Sequence, residues 1–186
     1  MAELATDRLL LRRWQASDRV PFAALNADPE VMRYFPGPLT RQASDRLADL
    51  IYAAIERDGW GLWALEQRAT SHFLGFTGLA RPTFEASFTP AVEVGWRLSR
   101  AAWGFGFATE AARAAAAFAF GELDLDELVS FTAERNARSR AVMRRLGMRH
   151  DAAHDFDHPH VREDRIRRHV LYRLAASEWK ASLRAS

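Results

Sequence analysis

The chain has 186 residues, of which 48% are apolar and 27% charged, enough to bury a sizeable core. Twenty-six basic residues against twenty-four acidic ones leave a net charge of +2, too weak a field to point to a nucleic-acid partner. The absence of cysteine excludes disulfides, thiolate zinc sites and a cysteine nucleophile, and no apolar run reaches the roughly 18–20 residues that span a bilayer. Met1 to Asp7 is polar and lacks the apolar stretch of a signal peptide, so a soluble, cytoplasmic protein is expected.

Arg8 to Trp14 is short, apolar and flanked by charge, and predicts a strand. Asp18 can cap a helix running through Asn26, and Asp28-Pro29-Glu30 predicts a second, short helix with proline in its first turn. Phe35-Pro36-Gly37-Pro38 is a loop. Thr40 then caps an amphipathic helix with Ala43, Leu47, Leu50, Ile51, Ala54 and Ile55 on one face, stopped by Gly59. Gly61–Glu66 and His72–Ala80 predict a hairpin across a polar turn, and Ala91–Leu98 a further strand. After these come an alanine-rich helix from Thr109 to Phe120, a strand at Leu128–Ala133 and a helix from Asn136 to Leu146 ending at Gly147. A long strand at Arg165–Leu174 and a short helix at Ala175–Leu183 follow.

No linker, repeat or low-complexity tract interrupts this order, which predicts one α/β (mixed α+β) domain over 1–186. A central mixed sheet of about seven strands, mostly antiparallel, would carry helices on both faces.

The chemistry is concentrated in Val92-Glu93-Val94-Gly95-Trp96-Arg97-Leu98 and, after a short connection, Trp103-Gly104-Phe105-Gly106-Phe107-Ala108-Thr109-Glu110-Ala111. A strand runs into a glycine-containing turn that opens a helix. The first turn of a helix has N–H groups with no internal partner, its macrodipole adds about half a positive charge, and glycines let a ligand approach the backbone. Together they suit a phosphate or pyrophosphate without a lysine. A Gly-x-Gly pair alone is equally a steric device of helix entry. A dinucleotide fingerprint would need glycine where Thr109 stands, and a P-loop would need Gly-Lys-Ser/Thr, so neither fits.

Trp103 to Ala111 resembles the acetyl-CoA-binding motif of the GNAT acetyltransferase superfamily, in its RimJ/RimL-like branch. The resemblance covers nearly the whole chain: Thr6 to Arg12 with Asp18, Asp28 to Met32, Glu93 to Leu98, Asn136 to Ser139, Arg145 to Met148, Phe156 to Pro159 and His169 to Tyr172 follow in order. Ala101 stands where that motif often has Arg or Gln.

The resemblance implies a GNAT fold with a splayed sheet and acetyl-CoA as co-substrate. The amides of Trp103, Gly104, Phe105, Gly106, Phe107, Ala108 and Thr109 would hold the pyrophosphate, and the pantetheine arm would lie along Trp96, Arg97 and Leu98. Asn136 and Ser139 match late-helix positions that face the cofactor, although Asn136 also suits an ordinary N-cap. Transfer would be to a primary amine, either a protein N-terminal α-amine or a small-molecule amine. Glu93, a charge interrupting an apolar strand, is the expected general base; facing solvent or pairing with an arginine is the alternative. Ser139 is the expected proton donor to the thiolate, with Tyr172 as the alternative. Backbone N–H groups between Val94 and Leu98 would polarise the thioester. A non-catalytic acyl-CoA sensor is the rival class. Dimerisation is common in the family, with no sequence feature here to fix it. His150, His154, His158 and His160 with Asp151, Asp155 and Asp157 predict a solvated connector near the substrate mouth rather than a metal site. Arg138 or Arg140 could meet the 3′-phosphate of the cofactor.

Overall fold

A computed structural model describes residues 2–184; Met1, Ala185 and Ser186 of the expected 1–186 domain lie outside the described residues. The chain opens with β1 (Leu4–Ala5) and β2 (Leu9–Arg12), then α1 (Arg19–Ala27) and α2 (Arg41–Asp58). Next come β3 (Leu62–Gln67), β4 (His72–Ala80) and β5 (Glu93–Leu98), followed by α3 (Phe107–Gly121), β6 (Glu127–Ala133) and α4 (Ala137–Leu146). The chain closes with β7 (Arg149–His150), β8 (Phe156–Asp157), α5 (Asp164–Arg167), β9 (Arg168–Ala175) and α6 (Ala176–Arg184). The strands form one sheet in the order β1-β2-β3-β4-β5-β6-β9-β7, with β8 also paired to β9. Every pairing is antiparallel except β5 with β6. Nine strands stand where about seven were expected; β1, β7 and β8 are two-residue pieces too short to show an alternation.

Two caps work as the sequence suggests and one does not: Asp18 precedes α1 but makes no cap bond to it, its carboxylate being taken by Arg12 and the Gln15 N–H. Thr40 accepts from the Ala43 N–H at the start of α2, and Gly59 ends it in the left-handed region at φ 76°. Two expected elements differ. Asp28–Met32 is not a helix but a series of turns. Asp28 is extended (φ −73°, ψ 117°), as a residue before proline prefers, and its carboxylate accepts from the Glu30 N–H at 2.9 Å in competition with helical pairing. Arg165–Leu174 is not one strand: Asp164–Arg167 makes a single helical turn that buries Ile166 against Val161 and Ala133, and β9 begins only at Arg168.

Alternation along the strands divides the core in two. On one face Val94, Leu98, Leu128, Val170 and Leu174 pack on α3 and α4. The α3 contact is made by Ala111, Ala112, Ala115, Ala116 and Ala119, all fully buried, whose small side chains bring the helix close to the strands. On the other face α1 and α2 cover Ala64 and Phe76 with Phe22, Ile51 and Ile55. This second face continues beyond β5 as an aromatic cluster of Phe88, Phe84, Phe131 and Phe156 around Val129 and Leu171. A buried ion pair ties β2 to its neighbours. Arg12 binds Asp18 through two 2.8 Å hydrogen bonds, and its Nε donates to Glu66 on β3 at 2.6 Å.

Candidate active site

The sheet opens between β5 and β6. Their only paired residues are Glu93 and Val129, where the Val129 N–H donates to Val92 O at 3.0 Å. On its other edge β5 stays paired with β4 over all six residues. The Ser99 N–H donates to Leu74 of β4, so residues of that parity face β4 and the backbone of Val94, Trp96 and Leu98 faces the opening. The Leu98 carbonyl accepts from the Trp103 indole at 3.0 Å, leaving the Trp96 N–H and C=O and the Leu98 N–H directed into the cleft. Around this opening lies a cavity of about 2200 Å³.

One end of the cavity is the turn 103–106 and the start of α3, which begins at Phe107 rather than Thr109. Gly104 and Gly106 take φ values of 85° and 82°, left-handed backbone that glycine enters without strain. Among the described residues no N–H from Gly104 to Thr109 donates to a protein acceptor, whereas the Trp103 N–H, also expected to be free, closes a turn onto Arg100 O at 3.1 Å; the first helical bond runs from Glu110 N to Gly106 O. A Cβ added at Gly104 would meet no atom within 4 Å, so the surface above the turn is bare. The turn is held from behind: Arg8 donates to Glu110 through Nε at 2.7 Å and to the Phe105 carbonyl at 3.0 Å, and Thr6 Oγ1 donates to Glu110 at 2.6 Å. This clamp was not expected, because Arg8 and Glu110 lie 102 residues apart and each looks like ordinary surface charge in the sequence.

The opposite wall is the N-terminus of α4. Asn136 caps it: Oδ1 accepts from Ser139 N at 3.2 Å, and Nδ2 donates to Thr132 Oγ1 at 2.9 Å and Ser139 Oγ at 3.2 Å. Its amide is thereby engaged in placing Ser139. The Ser139 hydroxyl, accepting from Asn136, has its own proton free to donate into the cavity that it lines. Tyr172 is buried on β9 beside Arg140, its ring stacked on His150, and does not line the cavity. Arg138 lies over the Trp103 ring at 4.3 Å and lines the cavity, whereas Arg140 turns back to the Glu134 carbonyl.

Glu93, Gly95 and Arg97 point from β5 to the α1/α2 face. Glu93 stands at the vertex of the split and, among the described residues, makes no hydrogen bond or ion pair, so the arginine partner expected as one alternative is not realised. It is half-buried and lines the cavity, and burial alone pushes its carboxyl up to about 8. Arg97 also lines the cavity. Its Nη1 donates to Asn26 Oδ1 at 2.7 Å, and its guanidinium lies 4.1 Å from the Phe35 ring centre and 5.4 Å from that of Phe76.

The histidine segment divides. His150 pairs with Asp155 and His154 with Asp151 at the surface. His158 instead packs with His169, Phe84 and Phe156 in the cavity wall, which corrects the solvated reading for that residue. Burial pushes its imidazole down to about 4, so it is neutral at physiological pH. Among the described residues no group of three or more His, Asp or Glu side chains is arranged to hold a metal.

A split sheet, a bare glycine turn opening a helix and a carboxylate at the split define an acyltransferase-type cleft, and the comparisons agree. The chain belongs to the GNAT family: the acetyltransferase (GNAT) domain model matches residues 8–149. The FsC-acetyl coenzyme A-N(2)-transacetylase of Aspergillus fumigatus is 35% identical over 166 residues, 83% of this chain and 68% of that protein. YkkB of Bacillus subtilis is 30% identical over 147 residues, 78% of this chain and 84% of the relative. Among solved structures, a GNAT acetyltransferase from Bacillus anthracis superposes with a TM-score of 0.79 at 20% identity, covering 95% of this chain and 99% of that one. The acetyltransferase from Agrobacterium tumefaciens gives 0.76 at 27% identity, with 94% of each chain covered. The protein is an acetyl-CoA-dependent N-acetyltransferase.

Proposed function

We propose that the chain 1–186, as one domain of the RimJ/RimL-like branch, moves the acetyl group of acetyl-CoA onto a primary amine by direct attack on the thioester. The observation that carries this reading is the run of N–H groups from Gly104 to Thr109 without protein acceptors, beside a sheet edge that is free from Trp96 onward. The pyrophosphate fits the first and the amide-rich pantetheine arm the second, as an added strand. Arg138, lining the cavity over Trp103, is the arginine closer to hand for the 3′-phosphate.

At the vertex the amine nitrogen bonds to the acetyl carbon and the carbon–sulfur bond breaks. The amine gives its proton to Glu93, directly or through one water, and the departing thiolate is protonated through Ser139, which takes a proton from cavity water as it gives one up. The Trp96 and Leu98 N–H groups lie where they can polarise the thioester oxygen. Glu93 at about 8 matches an α-amine, whose own pKa is near 8. A lysine amine near 10.4 would cost about 3 kcal/mol more to deprotonate. The acceptor is therefore an amine of low pKa, a protein N-terminus or a small molecule. The N(2)-transacetylase relative, named for transfer to a nitrogen, supports a nitrogen acceptor.

Thiol release from acetyl-CoA across a panel of amines, including short peptides with free N-termini, tests the reading. Turnover with α-amines or other low-pKa amines is expected; turnover confined to lysine-like amines or to oxygen acceptors would contradict it.

A further inference from the structure

Arg97 is a cation without a counter-ion. It takes part in none of the ion pairs among the described residues, and its Nε is buried with no hydrogen-bond partner. Enclosing a guanidinium in this way is costly unless an anion joins it. Desolvation lowers its pKa to about 10, so it stays charged at neutral pH. The surroundings nonetheless hold it firmly. Asn26, fully buried, accepts from Nη1 and donates to Ser44 Oγ at 2.9 Å, and two aromatic rings flank the guanidinium. Nη2 has no hydrogen bond, and the side chain lines the cavity. This is a preorganised cation with a vacant donor, on the face of β5 that also carries Glu93.

We propose that Arg97 anchors the anionic end of the acceptor, so that the preferred substrates are amines bearing a carboxylate. Arg97 and Glu93 are four residues apart on one strand, about 13 Å between Cα atoms. Gly95 between them carries no side chain, and the Glu93 carboxylate leans over it, its Oε1 3.5 Å from where a Cβ would stand. The spacing favours an acceptor whose α-amine and carboxylate are separated by several bonds, a short peptide with a free N-terminus rather than a single α-amino acid. The guanidinium fork suits a carboxylate through paired N–H···O bonds. The inference rests on the amine-acetyltransferase reading and names its substrate class.

The test compares a homologous series of short glycyl peptides with their C-terminal carboxamides, by thiol release with wild type, Arg97→Gln and Arg97→Lys. Wild type is expected to favour carboxylate over carboxamide by about tenfold or more in kcat/KM, mostly through KM. Arg97→Gln brings the ratio near one, and Arg97→Lys, keeping charge without the fork, leaves it intermediate. Binding of coenzyme A by calorimetry reports that each variant is folded, and Arg97→Lys carries the test if Arg97→Gln is not. A ratio near one in wild type, or one unchanged in a folded Arg97 variant, overturns the proposal. Calorimetry of the N-formylated peptides against their carboxamides on the coenzyme A complex separates the two readings. Selective carboxylate binding without turnover of any amine supports the anchor and sinks the amine acceptor. Amine turnover without carboxylate selectivity does the reverse.

Discussion

Glu93 faces Val129 across the one rung that joins β5 to β6, and from that rung the two strands part. The carboxylate thus stands at the vertex of the opening through which a ligand can enter the sheet. Its lack of a partner and its raised pKa follow from one cause, enclosure by protein in the wall of the cavity.

The first consequence is kinetic. As general base, Glu93 gives kcat/KM an acidic limb with a midpoint of about 8 in the free enzyme. An ammonium beside it favours the carboxylate, so the kcat limb falls at lower pH. Glu93→Gln is expected to lower kcat by about 10²–10⁴-fold and to leave only the limb set by the acceptor amine itself. Initial rates from pH 6 to 9 measure both; an unchanged profile in the variant removes Glu93 as the base.

The same group makes stability depend on pH in an unusual direction. Its folded pKa of about 8 lies above the ordinary 4.5, so between these values the folded state holds a proton that the unfolded chain releases. Its contribution is fully present below about 4.5 and is lost as pH rises through about 8. Glu93→Gln is expected to be more stable than wild type at pH 9 by about 2–4 kcal/mol, with the gap closing towards pH 5. Urea unfolding at the two pH values checks this; a gap independent of pH contradicts it.

At the glycine turn, Gly104→Ala separates binding from folding. The added methyl meets no protein atom, so the cost to stability is only the strain of left-handed backbone, about 1 kcal/mol. The methyl does stand over the bare amides, and coenzyme A affinity is expected to fall by about tenfold or more. Thermal unfolding and calorimetry on one sample read the two effects. A large loss of stability with unchanged affinity would make the glycine purely structural.

Asp18 offers a control remote from the chemistry. Asp18→Asn leaves Arg12 with one carboxylate, Glu66, and removes the charge that the buried guanidinium faces through two hydrogen bonds. The expected loss is about 3 kcal/mol in urea unfolding, with the KM for acetyl-CoA little changed. A loss below about 1 kcal/mol would mean that Glu66 and water satisfy Arg12 unaided.

These relationships were unequally visible in the sequence. The turn at 103–109 was legible because glycine spacing and helix entry are local chemistry, and Thr40, Gly59 and Asn136 announced their helix ends for the same reason. The partners of Arg8 and Arg12 were not legible, since a charge does not declare which distant carboxylate it will meet. Asp28–Met32 misled because proline suits a helix start, while the Asp28 side chain and its pre-proline backbone favour a turn. Arg165 to Arg167 carried a strand-like alternation into a turn that exists to bury Ile166. His158 looked solvated among polar neighbours, and only the pairing of β8 with β9 carries the chain that follows it against Phe84 and His169.

The central claim is that the bare amides from Gly104 to Thr109 receive the diphosphate of the co-substrate. Backbone amide NMR during titration with coenzyme A, and separately with pantetheine, measures it directly. The expected result is a downfield shift of the 104–109 N–H resonances with coenzyme A and none with pantetheine, which lacks the diphosphate. Equal shifts with both ligands, or coenzyme A binding that leaves these six amides unmoved, would contradict it.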